Sequence, residues 1–375
     1  MKILIAGDYA PKDRIQSLLD KGNYSFFDKV RQITSAYDFS ILNLEAPIVE
    51  NTQSSIIKSG PALKTTPNVV DSIKYSGFDC VTLANNHFRD YGDVGVNTTL
   101  RILKETGIKS IGGGSTLAES QKNLIIEIGD KKVGFINVCE HEFSIATKNR
   151  GGSAPLDIID VSLRIKQLNN LVDFIIVIVH GGHEYYQLPS SRMKKTYRFF
   201  VDEGADVVIN HHQHCYSGYE VYRGKPIFYG LGNFCFDWNN KRNSTWNQGF
   251  MVGLVLSEEI SFELYPYEQC DKTPSINLLT DHNKQEFLKT VFSLNSIITN
   301  DEILEKEFDK FCSSKNHSIK STFSPLQGRF MRGLAKYNLM PYFLPTSKIL
   351  SILNHVQCES HRDLVCNVLK RGIEK

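Results

Sequence analysis

The segment from Val207 to His214 restricts the fold of this chain more than any other part of the sequence. It reads Val-Val-Ile-Asn-His-His-Gln-His, so an apolar, mostly β-branched run is followed at once by three histidines. The apolar run predicts the end of a buried strand. On an extended backbone, residues i and i+2 point the same way, so we expect His212 and His214 to converge while His211 faces elsewhere. Paired neutral imidazoles are typical transition-metal ligands, and the alternative is a polar loop with solvated or hydrogen-bonded histidines.

Four other strand-like runs also end in side chains that can bind a metal: Asp8 follows 3–6, Glu45 follows 39–43, Asn86 and His87 follow 78–84, and His180 follows 174–179. Taken singly, each has a local alternative, such as a helix N-cap for Asp8 or a turn for Asn-Asn-His. The carboxyl ends of strands cluster in α/β sheets, so the five sets are expected to lie together. Carboxylate, amide and imidazole ligands suit Mn, Fe or Zn, and a carboxylate can bridge two ions.

Six short motifs in this order resemble one family, the CapA-like proteins named for poly-γ-glutamate capsule synthesis, which is similar to the calcineurin-like metallophosphoesterases. The motifs are GD (7–8), NLEAP (43–47), LANNHFRDYG (83–92), HGGHEY (180–185), HHQH (211–214) and YGLGNF (229–234). The resemblance covers roughly residues 1–255. It implies an α/β fold, a four-layered αββα metallophosphatase-like β-sandwich, with the metal site at the ends of the sheets.

The resemblance also implies a set of site residues and two divalent metal ions, Mn, Fe or Zn. By position, the metal ligands are Asp8, Glu45, Asn86, His180, His212 and His214, with Glu45 as the bridging carboxylate. His87 matches a histidine that assists the leaving group or the phosphate. His183 and Glu184 are expected to face the substrate, and Glu184 could instead hold the second ring nitrogen of His180. For Glu140-His141-Glu142 we favour an exposed loop over contacts that support the ligands.

Three positions depart from the family pattern. Ala10 stands where the superfamily usually has a histidine two residues after the first aspartate, which weakens one metal position. Gly181 replaces a tryptophan after His180, and Asn210 replaces the glycine before the double histidine. The last two changes indicate an altered pocket with the metal site retained.

The residues and the resemblance together predict a metal-dependent hydrolase. We expect a phosphoesterase that acts in bacterial capsule or cell-surface polymer biosynthesis on an acidic or phosphorylated polymer or saccharide. Two ions would activate a water and His87 would serve as general acid. The alternatives are a metal-dependent amide or glutamyl-bond hydrolase or transferase on an acidic polymer, and a non-catalytic subunit of a polymer synthase complex, because fold does not decide reaction.

Composition narrows the compartment and the partners. The 375 residues contain 43 Lys plus Arg against 41 Asp plus Glu, so the net charge of +2 favours no nucleic-acid partner. The apolar run after Met1 is too short for a signal peptide, and no segment reaches the roughly 18 apolar residues of a membrane span. Eight cysteines without a regular framework are expected to be reduced and mostly buried. These features predict a cytoplasmic protein.

After about residue 272 the strand pattern gives way to helical periodicity. We therefore expect a metallophosphatase-like domain over 1–272 and a helical C-terminal extension over 273–375. Within it, residues 311–358 contain no Asp or Glu but several lysines and arginines interleaved with aromatic residues, including Tyr342 and Phe343. Such a stretch could contact the inner face of an anionic membrane or a synthase complex, whereas packing on the core domain is the favoured reading.

Overall fold

Two large β-sheets dominate the computed structural model, which describes residues 1–50, 54–324, 328–337 and 344–373. The strands are β1 (Lys2–Tyr9), β2 (Phe39–Leu44), β3 (Cys80–Thr82), β4 (Lys109–Ile111), β5 (Gly113–Gly114), β6 (Leu124–Ile128), β7 (Lys131–Cys139), β8 (Gly152–Ser153), β9 (Phe174–His180), β10 (Val207–His211), β11 (Tyr219–Tyr222), β12 (Lys225–Phe228), β13 (Asn233–Cys235), β14 (Gln248–Val255), β15 (Ser261–Gln269) and β16 (Ile276–Leu278). The α-helices are α1 (Asp13–Leu19), α2 (Asp28–Thr34), α3 (Val69–Ser76), α4 (Gly92–Thr106), α5 (Leu117–Ser120), α6 (Ile158–Leu168), α7 (Ser191–Asp202), α8 (Asp281–Ile298), α9 (Asp301–Phe323), α10 (Arg329–Lys336), α11 (Thr346–Gln357) and α12 (Glu359–Ile373). Short 3₁₀ turns cover Ser25–Phe27, Asn239–Lys241 and Thr245–Asn247.

The first sheet has eight strands in the order β16-β15-β14-β1-β2-β3-β4, with β13 beside the end of β1. Its strands β1 to β4 run parallel, whereas β14 to β16 are antiparallel to their neighbours. The second sheet has six strands in the order β11-β12-β10-β9-β7-β6, parallel in the middle and antiparallel at both edges. Parallel strands buried on both faces explain the continuous apolar runs of the sequence.

Alternating side chains of the strands build three apolar layers. Ile5 of β1 and Ile178 of β9 belong to one cluster that fills the space between the sheets. Leu4 faces the opposite way, into a cluster with residues of α2 and α3, and Val177 faces a cluster with residues of α6 and α7. Each sheet is therefore covered by helices on its outer face, and the predicted four-layered αββα architecture is confirmed.

This topology places the polar residues at one edge of the sandwich. The parallel strands β1, β2 and β3 end at the same edge of the first sheet, and Asp8 pairs in register with Asn43. In the second sheet β9 and β10 end together, with His180 opposite His211. The side chains that follow these strand ends come from both sheets and meet where the sheets face each other.

The chain divides into two compact units, Met1–Glu305 and Lys306–Lys375. The first unit continues beyond the predicted boundary at 272, because Phe287 and Val291 of α8 are buried in the layer between the sheets. Leu304 of α9 is buried in the outer cluster of the second sheet. The 1–272 boundary stays a prediction about the family domain, while the helical character predicted for the C-terminal region is confirmed.

The described helices include none with the length and apolar content needed to cross a bilayer. All eight cysteines are free thiols, and five of them are buried. This agrees with the expectation of reduced and mostly buried cysteines. Tyr342 and Phe343 of the basic stretch lie outside the described residues, as do 325–327 and the other residues of 338–343.

Candidate metal centre

The six predicted ligands lie together at the shared edge of the two sheets, and all are buried. Two groups of three have donor atoms within 4.8 Å of one another: Glu45, His180 and His212, and Asp8, Glu45 and His214. Glu45 belongs to both groups. The predicted place of Glu45 between two sets of ligands is therefore reproduced by the geometry, although its role as a metal ligand stays a prediction.

The first group is centred on the Nε2 atom of His180. This nitrogen lies 3.0 Å from Oδ1 of Asn86, 3.1 Å from Nδ1 of His212 and 3.4 Å from Oε1 of Glu45. Donor atoms around one transition-metal ion, each at about 2.0–2.2 Å from it, lie about 3.0–3.5 Å apart. The three distances from Nε2 of His180 are thus those that ligands of a common ion would show.

Glu45 provides the test of whether the residues fit a metal. Its side chain is fully buried, and neither carboxylate oxygen has a hydrogen-bond partner among the described residues. Burial first, and then repulsion from Asp8 and Glu184, raises the pKa of Glu45 well above its usual 4.5. A buried carboxylate with no donor is unfavourable for the fold alone, and a divalent cation would satisfy both oxygens. The residues present therefore fit a metal ion.

The neighbouring histidines are held in the neutral state that metal binding needs. Burial is the largest cause that lowers the pKa values of the three histidines. The pKa falls to about 4 for His212, to about 3 for His214 and well below 6.5 for His180, and the charge of His87 lowers each of them further. These imidazoles are neutral at physiological pH and keep a free lone pair. Burial also raises the pKa of Asp8 to about 7.

Residues behind the ligands fix their orientation. Asn43 donates from Nδ2 to Oδ1 of Asp8 at 2.7 Å and lies 3.2 Å from Nδ1 of His180. His214 places its Nδ1 2.9 Å from Oδ1 of Asn233. The alternative in which Glu184 holds the second nitrogen of His180 is wrong, because Asn43 occupies that position. Such supporting contacts set the ring orientation of metal-bound histidines.

The histidine segment reaches the site by a different backbone path from the one predicted. Strand β10 ends at His211, and His212 and His214 have positive φ angles of 95° and 56°. They converge through left-handed turns, so the expected alternation along an extended strand is wrong. His211 also faces the cluster, with Nδ1 3.5 Å from Oδ1 of Asp8. Left-handed non-glycine residues are strained and concentrate at functional sites.

His87 lies beside the cluster and is oriented by a buried ion pair. Its Nδ1 is 2.7 Å from Oδ2 of Asp90 and 3.2 Å from Nζ of Lys58, and Lys58 and Asp90 also pair with each other. Leu63 donates its backbone N–H to the same Asp90 oxygen at 2.7 Å. A histidine with Nδ1 fixed in this way presents Nε2 in a defined direction. Lys58 and Asp90 were not identified from the sequence.

The other two predicted site residues lie at the rim. His183 is half-buried. The pKa of His212 is lowered mainly by burial, and the charge of the nearby His183 makes a smaller contribution in the same direction. Glu184 is exposed, and its negative charge helps to raise the pKa of Glu45. Glu142 lies in an exposed loop, as predicted for this segment, and its carboxylate is also 3.7 Å from Nε2 of His212 and 3.5 Å from Nδ2 of Asn86, so the loop contacts the ligands as well.

The departures from the family pattern have local explanations. Ala10 is buried in an apolar cluster with Phe236 and Trp246, so the group of Asp8, Glu45 and His214 has no imidazole there as a fourth ligand. A Cβ atom on Gly181 would lie 2.7 Å from Cγ of Glu140, whose side chain occupies the space of the usual tryptophan. The side chain of Asn210 is buried behind the site, where it donates to the carbonyls of Gly181 and Tyr229 and leaves the ligand cluster unobstructed.

The chain matches the model of the family described as bacterial capsule synthesis protein PGA_cap over residues 2–238. It is 31% identical over 261 residues to the PGA biosynthesis protein CapA of Bacillus subtilis (strain 168), covering 68% of each chain. It is 26% identical over 258 residues to the capsule biosynthesis protein CapA of Bacillus anthracis, covering 65% of this chain and 62% of that protein. A solved structure described as a novel phosphatase of Mycoplasma pneumoniae has a TM-score of 0.48 and 14% identity, covering 72% of this chain and 95% of that one.

Proposed function

The chain belongs to the bacterial capsule synthesis protein family, and on that premise we propose that it is a metal-dependent hydrolase, a phosphoesterase, in the biosynthesis of a capsule or other cell-surface polymer. One observation carries the proposal: Glu45 is shared by two groups of donor atoms, and its two buried oxygens have no hydrogen-bond partner among the described residues. A site built only for stability would pair such a carboxylate with a hydrogen-bond donor. Relatives named for capsule and PGA biosynthesis favour an acidic or phosphorylated polymer or saccharide as substrate.

Each residue has a defined part in this proposal. Asn86, His180 and His212 would hold one divalent ion and Asp8 and His214 the other, with Glu45 between them. Two such ions, Mn, Fe or Zn, would supply Lewis-acid activation of water and of a phosphoryl oxygen. His87, oriented by Asp90, would donate a proton to the leaving group through Nε2, a contribution typically of about 10²–10⁴-fold.

The test uses the full chain loaded with Mn, Fe or Zn and two aryl phosphates, a monoester and a diester. We expect hydrolysis of at least one of them, and loss of that activity in Glu45→Gln. Absence of hydrolysis of both esters by fully loaded protein would contradict the phosphoesterase proposal. The same protein would then be assayed on a γ-glutamyl anilide, because the amide-bond alternative uses the same ions.

The second compact unit suggests how the protein reaches a polymer-synthesis complex. In its helices several apolar side chains are solvent-exposed, among them Phe330 at 75%, Leu350 at 60% and Leu364 at 64%. The stretch 311–358 has no acidic residue. Basic residues beside an exposed apolar face are typical of peripheral contact with anionic lipids. This contact would place a cytoplasmic protein at the inner face of the membrane.

Flotation with vesicles tests this contact. The wild type should float with anionic vesicles and less with neutral ones, and the variant with Lys315, Lys320 and Lys348 each replaced by glutamate should float less. A variant with glutamate at Lys21, Lys104 and Lys166, which lie in the first unit, controls for total charge. Equal flotation of all three proteins contradicts membrane contact and leaves a protein complex as the partner.

A further inference from the structure

Lys241 differs from the other cations around the metal centre because it forms no ion pair with a carboxylate of the described residues. Lys58 is 5% exposed and paired with Asp90, so its charge is neutralised within the fold. Among the described residues no carboxylate oxygen is within 4.0 Å of the Lys241 ammonium, which instead lies over aromatic rings. The charge of this half-buried ammonium is therefore not neutralised by a carboxylate of the described residues.

Aromatic rings connect Lys241 to the ligand cluster. Its Nζ is 4.3 Å from the ring centroid of Tyr185 and 6.0 Å from that of Trp246. Both rings contact the imidazole of His214, at centroid distances of 6.1 Å and 4.5 Å. Tyr185 is 44% exposed, so the ammonium and this ring form an accessible wall next to a predicted metal ligand. Cations at such distances from aromatic faces are attracted to them without being neutralised.

The segment that carries Lys241 is anchored to the core. Asp237 is fully buried and accepts hydrogen bonds from Arg14 and Arg242, each at 2.8–3.0 Å. Trp246 donates Nε1–H to the carbonyl of Phe236 at 2.8 Å. Lys241 thus projects from a fixed turn between two buried attachments.

Tyr185 is held in its place by a strained backbone. Its φ angle is +62°, and its N–H donates to the carbonyl of Gln213 at 2.8 Å, within the histidine segment. A left-handed tyrosine persists only where surrounding contacts impose it, and such positions concentrate at ligand sites. The ring and the ammonium are therefore both positioned by the same segments that form the metal centre.

We propose that Lys241, on the platform of Tyr185, binds a second anionic group of the substrate, separate from the group that reacts at the metal centre. The inference rests on the proposed function and narrows its substrate class to molecules with two acidic groups. The second group, a carboxylate or a phosphate, would supply the anionic partner that Lys241 lacks among the described residues, where it hydrogen-bonds to the phenol of Tyr185. A repeating acidic polymer and a doubly acidic saccharide both meet this requirement.

The test measures binding, so it does not depend on turnover. Trp246 contacts both Tyr185 and Lys241, and the second tryptophan of the chain, Trp238, packs against Trp246 at a centroid distance of 5.7 Å, so tryptophan fluorescence reports on this wall. Metal-loaded protein is titrated with alkyl phosphates of increasing length. Each alkyl phosphate is compared with two counterparts of the same length, one with a carboxylate and one with a second phosphate at the far end of the chain. We expect the best counterpart to bind about fivefold more tightly than its plain alkyl phosphate, the value of a partly exposed ion pair of about 1 kcal/mol.

Three variants make the result specific. Lys241→Gln should reduce the preference to within about twofold, and Lys241→Arg should keep it. Lys12→Gln is the matched control, because Lys12 lies 4.8 Å over the neighbouring Trp238 but is paired with Asp13, and the preference should persist. A preference unchanged in Lys241→Gln, or absent in the wild type, overturns this inference alone. Failure of the loaded wild type to bind any of the phosphates contradicts the proposed function itself and this inference with it.

Discussion

Replacing Asp8 by asparagine should change stability in opposite directions with and without metal. Burial raises the pKa of Asp8 from 3.8 to about 7, so the metal-free folded state holds a proton that the unfolded chain releases. As pH rises from about 4 to about 7, the free energy of unfolding falls by about 1.4 kcal/mol per pH unit, in total about 4 kcal/mol. Below about pH 4 the carboxyl is protonated in both states and no loss occurs.

Asparagine has no charge to desolvate, so the variant escapes this loss. It gives up one of the two hydrogen bonds that Asp8 accepts, from Asn43 at 2.7 Å and from the N–H of His212 at 3.2 Å, at about 1 kcal/mol. At pH 8 in a chelator, Asp8→Asn should therefore be about 3 kcal/mol more stable than the wild type. With metal present the order should reverse, since bound ions stabilise only a protein that retains its ligands.

Urea unfolding at pH 4.5 and pH 8, in chelator and with added metal, measures the four values for each protein. At pH 4.5 in chelator the difference between the two proteins should shrink to within about 1 kcal/mol. If Asp8→Asn is less stable than the wild type at pH 8 in chelator, Asp8 serves the fold and the reasoning is refuted.

Three other outcomes follow from the same geometry. Asp237→Asn should lower stability by about 3 kcal/mol at pH 8 with or without metal. Burial, which raises the pKa of Asp237, is outweighed by the hydrogen bonds from Arg14 and Arg242, so the pKa is lowered and the loss should fade as pH drops below about 4; urea unfolding at pH 8 and below pH 4 checks it. Metal binding should release more protons at pH 6 than at pH 8, because protonated Asp8 must ionise while His212 and His214 are already neutral. Calorimetry in buffers of different ionisation enthalpy measures the number of protons released. Equal release at both pH values contradicts the prediction. His87→Ala should reduce turnover of a phosphoester by about 10²–10⁴-fold without changing metal content, and loss of metal in this variant would add His87 to the ligands.

The strand pattern was sufficient to predict that the six proposed ligands lie together, and the family resemblance implied the four-layered fold. Apolar runs such as 174–179 mark buried strands, and each is followed by a polar side chain that would be unfavourable in a core. Because the strands are parallel, these ends had to share an edge. Glu45 could be predicted in this way from its place after the strand at 39–43.

The local geometry could not be predicted in the same way. The positive φ angles of His212 and His214 arise from packing of the segment against both sheets, which no periodicity encodes. Asn43 was missed because it lies inside a predicted strand, where an amide reads as an interruption. Lys58 and Lys241 come from loops, and only the folded chain brings them to the site. The contacts of Glu142 with His212 and Asn86 were not expected for the same reason.

The extent of the first unit could not be predicted from the sequence either. Helix α8 has a modest apolar face that reads as part of a separate helical region. In the structure Phe287, Val291 and Ile298 bury that face against the sandwich. Long-range packing therefore decides where the unit ends, and helical periodicity alone does not.

Metal content is the most direct test of the shared role of Glu45. The full chain, reconstituted with Mn, Fe or Zn and freed of excess, would be measured by elemental analysis beside His180→Ala, His214→Ala and Glu45→Ala, with circular dichroism to verify folding. His180 and His214 belong to different groups of donors, so we expect two ions per chain in the wild type, about one in each histidine variant, and close to none in Glu45→Ala. A folded wild type that binds no ion, or a Glu45→Ala protein that keeps two, would contradict the shared-carboxylate centre.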